Sequence, residues 1–163
     1  MNEDRARLLE ATIQQRVLDA RRHLAALEAA AIMFGDDFEL ELFDAAWRSN
    51  EPRELHKAYA VQAGYENVIN ACIAIAQELC ALEEWSPPGR KPSSIEALRL
   101  LHENGVISAA TRTALKDAQE RRSDVQHDYA NVAARDVHGA TASVLEHGPL
   151  LVQDVAAELR RRG

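Results

Sequence analysis

Apolar residues at steps of three and four run through most of this chain, and that period decides the fold class. Leu8, Leu9, Ile13, Val17, Leu24, Leu27 and Ala31 mark an amphipathic helix from about residue 3 to 33, which Phe34-Gly35-Asp36-Asp37 ends. A shorter amphipathic piece from Phe38 to Arg48 carries Leu42, Phe43 and Trp47. Ser49-Asn50-Glu51-Pro52 then offers caps and an early proline for a long helix to about Trp85, with the stripe Leu55, Tyr59, Tyr65, Ile69, Cys72, Ile73, Ala76, Leu79 and Cys80. No strand-like alternation competes.

Beyond the loop Ser86-Pro87-Pro88-Gly89-Arg90-Lys91-Pro92, the box Ser93-Ser94-Ile95-Glu96 predicts a short helix ending at Asn104-Gly105. Ser108 can cap the next helix, which should reach Arg121-Arg122, with another starting at Asp124. Val132, Val137, Val144 and Leu145 continue an apolar pattern that His147-Gly148-Pro149 should interrupt before a last amphipathic set, Leu150, Leu151, Val155 and Leu159. Two long helices followed by shorter ones predict an all-α, up-and-down bundle of four to five main helices, one domain over residues 1–163. Leu24, Leu27, Ile69 and Ile73 exceed what one chain is expected to cover, which suggests a dimer.

Composition narrows the classes of function. No apolar run approaches the roughly 20 residues that span a bilayer, and Met1-Asn2-Glu3-Asp4 lacks the apolar segment of a signal peptide, so a soluble cytoplasmic protein with no membrane association is expected. Cys72 and Cys80 stand eight residues apart on one helical pattern, about 12 Å in rise, too far for a disulfide within that helix. They read as small buried apolar groups. The histidines show no zinc-site spacing, so no metal and no cofactor are expected. A net charge of −7 argues against wrapping nucleic acid by bulk attraction, although Arg112, Lys116, Arg121, Arg122 and Arg135 gather in one region.

That region contains Arg121-Arg122-Ser123-Asp124-Val125-Gln126-His127-Asp128-Tyr129, which puts cations, an imidazole and a phenol close together. A guanidinium can hold a scissile phosphate, and an imidazole titrating near neutrality can move the proton of an attacking 2′-hydroxyl. On an unbroken helix positions 122 and 127 would stand roughly 140° apart and would not face one substrate. Ser123 and Gln126, however, form a Ser-x-x-Gln capping box. A helix starting at Asp124 would bring Arg122 and His127 together across its entrance, where the helix dipole suits a phosphate. Arg121, Ser123 and Asp124 are the supporting residues. Arg, His and Tyr on a helix are also what an ordinary half-buried face carries, so the residues alone leave catalysis and plain helix surface both open.

Arg122-x4-His127-x-Tyr129 resembles the Arg-x4-His-x-Tyr signature of HepT-like toxins of the HEPN superfamily, small all-helical ribonucleases. Tyr65-Glu66-Asn67-Val68-Ile69-Asn70 is similar to the family's Glu-bearing long helix, and Leu101-His102-Glu103-Asn104-Gly105-Val106-Ile107-Ser108 to the segment before the motif helix. The resemblance covers roughly residues 50 to 145. Gln126 stands where an aliphatic or small residue is common, and this chain is longer than typical members.

The resemblance implies a HEPN-like four- or five-helix bundle, and a homodimer with the motif lining a cleft between protomers. It also implies metal-independent cleavage of RNA, with Arg122 and His127 as the catalytic pair. A partner antitoxin of the minimal nucleotidyltransferase type is implied too, and Tyr129 is the candidate site for adenylyl groups. Within the same superfamily the alternative is a non-catalytic helical subunit that binds a nucleotidyltransferase. The resemblance thus predicts an endoribonuclease toxin of a toxin-antitoxin pair.

Overall fold

The computed structural model describes residues 1–127 and 132–162, the side chains of Gln126 and His127 excepted. Six helices and no strand appear among these residues: α1 (Glu3–Ile32), α2 (Leu40–Trp47), α3 (Pro52–Leu82), α4 (Ser94–Glu103), α5 (Ala109–His127) and α6 (Ala134–Arg162). The all-α bundle expected from periodicity is the observed architecture. It has three helices of 29 to 31 residues rather than two.

α3 is central, packing against α1, α6, α4, α2 and α5, while α5 lies along α6. Because neighbours surround it, α3 buries far more than one stripe: Val61, Val68, Ile75 and Leu82 join Tyr65, Ile69, Cys72, Ala76, Leu79 and Cys80. From α1, Ile13, Val17, Ala20, Leu24, Leu27 and Ala31 face this core, but Leu8 is 68% exposed and Tyr59 of α3 is 42% exposed, so both lie off the stripes assigned to them. Leu24, Leu27, Ile69 and Ile73 are buried within the single chain, so they supply no reason for a second copy.

Several helix ends follow the sequence signals. The Ser93 side chain accepts from the Glu96 amide at 3.2 Å, and Ser108 accepts from the Thr111 amide at 3.1 Å. Gly105, at φ +74, closes α4: the Gly105 amide donates to His102 and the Val106 amide to Leu101.

Two expected breaks are absent. α5 runs through Ser123 without interruption, and α6 runs through Gly148-Pro149. Gly148 is buried where a Cβ would sit 3.3 Å from a Leu24 methyl and 3.4 Å from a Val68 methyl, so the missing side chain lets α6 approach α1 and α3 closely. At the far end of α6, Arg162 bonds Glu10 of α1 and Glu83 just beyond α3, tying three helices together.

A candidate ribonuclease site at the end of α5

Residues 109 to 127 contain neither glycine nor proline, and their inward positions Thr111, Leu115, Ala118 and Val125 are all buried. Continuing the helix past Ser123 is what buries Val125, at 2% exposure. The helix start assigned to Asp124 is therefore corrected. Ser123 is an exposed residue inside a helix, and the Ser123/Gln126 box does not end it.

Arg122 falls on the same inward stripe, one turn after Ala118 and three residues before Val125. It is half-buried, and its Nε is buried with no hydrogen-bond partner among the described residues. The guanidinium lies close enough to Tyr65 of α3 to favour that residue's phenolate, as does Arg121. Burial outweighs them, with Glu66 adding to it, and pushes the Tyr65 phenol well above its ordinary value. Tyr65 stays protonated and donates to the Ala118 carbonyl at 3.4 Å. Next to it, Glu66 accepts from Gln62 at 3.2 Å.

Among the described residues Arg121, unlike Arg122, is engaged by carboxylates. Its guanidinium sits 3.4 Å from Asp124 on its own helix and 3.8 Å from Asp136 in the first turn of α6. These contacts bracket the chain between α5 and α6. Asp136 went unnoticed in the sequence, because nothing in its spacing shows that α6 returns it to Arg121. A second link holds the helices at the opposite end of α5, where buried Thr111 meets His147 Nδ1 of α6 at 3.1 Å. Lys116, of the same basic region, pairs with Glu120 at 3.8 Å.

The backbone of His127 is the last turn of α5, five residues beyond Arg122. On a continuous helix these positions are about 140° apart, so the expected meeting of Arg122 and His127 within one chain is not made by the backbone. Tyr129 lies outside the described residues. Among those residues no group of three or more His, Cys, Asp or Glu side chains could hold a metal ion, and no helix is long and apolar enough to cross a membrane. A cavity of about 490 Å³ lies away from the motif between α1, α3 and the loop around Pro87-Pro88.

The chain aligns with a solved structure of a tri-AMPylated HEPN toxin from Shewanella oneidensis in complex with an MNT antitoxin. The alignment covers 96% of this chain and 99% of that one, with a TM-score of 0.68 and 18% identity, a likeness of fold. No curated protein matches. The family model described as "Ribonuclease HepT-like" matches residues 42–147, which include the Glu66 helix, all of α4 and α5, and the Arg122-x4-His127-x-Tyr129 signature. The match spans well over half of the sequence, and the chain belongs to the HepT-like ribonuclease family.

Proposed function

We propose that the protein is the toxin of a toxin-antitoxin pair, a metal-independent endoribonuclease that uses Arg122 and His127 in a cleft between two protomers. The reading rests above all on the family match, whose residues 42–147 contain the complete signature.

In the proposed reaction the ribose 2′-hydroxyl attacks the adjacent phosphorus and the bond to the 5′-oxygen breaks, leaving a 2′,3′-cyclic phosphate and a 5′-hydroxyl. His127 moves a proton, either from the 2′-hydroxyl or to the leaving oxygen, and Arg122 stabilises the charge that builds on the phosphoryl oxygens. Arg121, Ser123 and Asp124 support the pair, with Arg121 holding the two helix ends through Asp124 and Asp136. One helix spaces the pair too widely around its axis to serve one phosphate. A second copy completes the site by supplying the missing member.

The antitoxin is a minimal nucleotidyltransferase, and Tyr129 is the acceptor of adenylyl groups. This part rests on the fold neighbour, itself a tri-AMPylated toxin bound to an MNT antitoxin.

Purified wild-type, Arg122→Ala and His127→Ala proteins incubated with RNA test the assignment. Loss of a general acid/base group lowers rates about 10²- to 10⁴-fold and loss of a donor to transition-state charge about 10²- to 10³-fold, so both variants should leave the RNA largely intact while the wild type cuts it in EDTA. A 2′-deoxy sugar at the cut position should block cleavage. Equal degradation by wild type and His127→Ala would reject the catalytic pair, and harmless expression of the wild type alone in cells would favour a non-catalytic subunit that binds a nucleotidyltransferase.

A further inference from the structure

Between the second half of α5 and the first turns of α6 lies a cleft of about 210 Å³, walled by Asp117, Arg121, Arg135, Asp136, Gly139 and Ser143. It holds two side chains of each charge. Arg121 and Asp136 engage each other, whereas Asp117 and Arg135 are exposed and make no ion pair among the described residues. Asp117 belongs to α5 and Arg135 to α6, so a carboxylate and a guanidinium are offered from two helices to whatever enters.

Gly139 of α6 lines the same cleft. A glycine inside a helix weakens it relative to alanine and is usually kept for a close approach. Among the described residues no close approach is made here: a Cβ at position 139 would meet none of their atoms within 4 Å. The missing side chain leaves open space in the cleft, in contrast to Gly148, whose missing side chain is needed for packing.

We propose that this cleft, which Arg121 of the supporting set helps to wall, is a guanine subsite that receives a base of the RNA substrate. The inference rests on the ribonuclease reading above. Guanine alone among the four bases presents two adjacent donors, N1–H and the 2-amino group, which match the two oxygens of a carboxylate such as Asp117. Its neighbouring edge offers O6 and N7, the acceptor pair that an arginine fork takes bidentately, the role of Arg135. Adenine and cytosine offer a carboxylate one amino group, and uracil one N–H. A local site of this kind also suits a protein of net charge −7, which does not gather RNA by bulk attraction.

The test uses His127→Ala protein, so that bound RNA survives, titrated with tetrauridylate carrying one internal guanosine or one internal adenosine, and separately with 5′-GMP and 5′-AMP. The guanosine oligomer should bind at least about tenfold more tightly than the adenosine one. Asp117→Asn, which keeps the shape but loses one acceptor, should remove most of that preference, and Gly139→Leu should abolish it by filling the cleft. In wild-type protein, cuts should cluster beside guanosine and spread evenly in Gly139→Leu.

Equal binding of the two oligomers overturns the proposal. So does a preference for 5′-GMP without one for the guanosine oligomer, which would mark a free-nucleotide site, or a preference unchanged in both Asp117→Asn and Gly139→Leu. Selective binding with no cleavage by the wild type would reject the ribonuclease reading and leave the subsite standing.

Discussion

Arg122 occupies a position that helix packing would give to an apolar residue. It lies on the buried stripe of α5, and its Nε has no partner among the described residues, although burying a donor unpaired costs about 1 to 3 kcal/mol. A cation kept at such a position fits a role in binding charge rather than in holding the fold. Replacing it by methionine, of similar length and no polarity, should leave the unfolding midpoint unchanged or raised while RNA cleavage collapses. A large fall in thermal stability would instead make the guanidinium a structural tie. The two thiols give a prediction of the opposite kind. Burial pushes both Cys72 and Cys80 up to about 12, from an ordinary value of 9.0. The folded protein thus keeps protons that the unfolded chain releases. Their contribution to stability is whole below the unfolded value near 9 and is lost as pH rises from there towards 12. Denaturant melts between pH 8 and 11 should show this decline, and Cys72→Ala/Cys80→Ala protein should show less of it. That the cysteines are buried was readable from their place on an apolar stripe. That Arg122 turns inward was not, because a motif names residue types and leaves open which side of the helix meets the core.

The helices differ from their sequence signals where two local preferences compete with packing. An N-cap serine contributes about 1 kcal/mol, whereas burying a valine contributes about 1.5 to 3 kcal/mol, so extending α5 through Ser123 to bury Val125 outweighs a new start at Asp124. The same reasoning covers Pro149, whose cost inside a helix, about 3 kcal/mol, is offset when α6 stays in register and buries Leu151, Val152 and Val155. Ends set by chemistry that acts within a few residues, such as the Ser93 and Ser108 caps and the Gly105 turn, were legible for that reason. Ends that depend on what a distant helix covers were not. Two glycines of α6 should therefore answer differently to the same change. Gly139→Ala enters open space and should stabilise the protein by about 0.5 to 1 kcal/mol. Gly148→Ala meets methyls of Leu24 and Val68 at 3.3 and 3.4 Å and should gain nothing or lose stability. Chemical denaturation of the two variants reads the difference directly.

The periodicity of the long stripes made the bundle legible, yet stripes do not say which helix meets which, and α3 could not be recognised as the central element from its own sequence. They also misled on association: Leu24, Leu27, Ile69 and Ile73 are covered within one chain, so the core needs no second copy. The proposed dimer has a catalytic reason instead. Positions 122 and 127 diverge around a continuous α5, and a symmetric partner can bring the arginine of one protomer to the histidine of the other. In such an arrangement each dimer has two sites, each borrowing one residue. Mixing Arg122→Ala with His127→Ala protein, each inactive alone, then produces heterodimers in which one of the two sites has both residues intact. Random exchange makes half of the dimers mixed, so the mixture should recover about a quarter of the wild-type activity. If each site instead drew both residues from one chain, no site in the mixture would be complete and cleavage would stay at the level of the separate variants. Co-expression of differently tagged copies followed by an RNA cleavage assay distinguishes the two arrangements, and persistent inactivity in verified heterodimers would rule out a site shared across the interface.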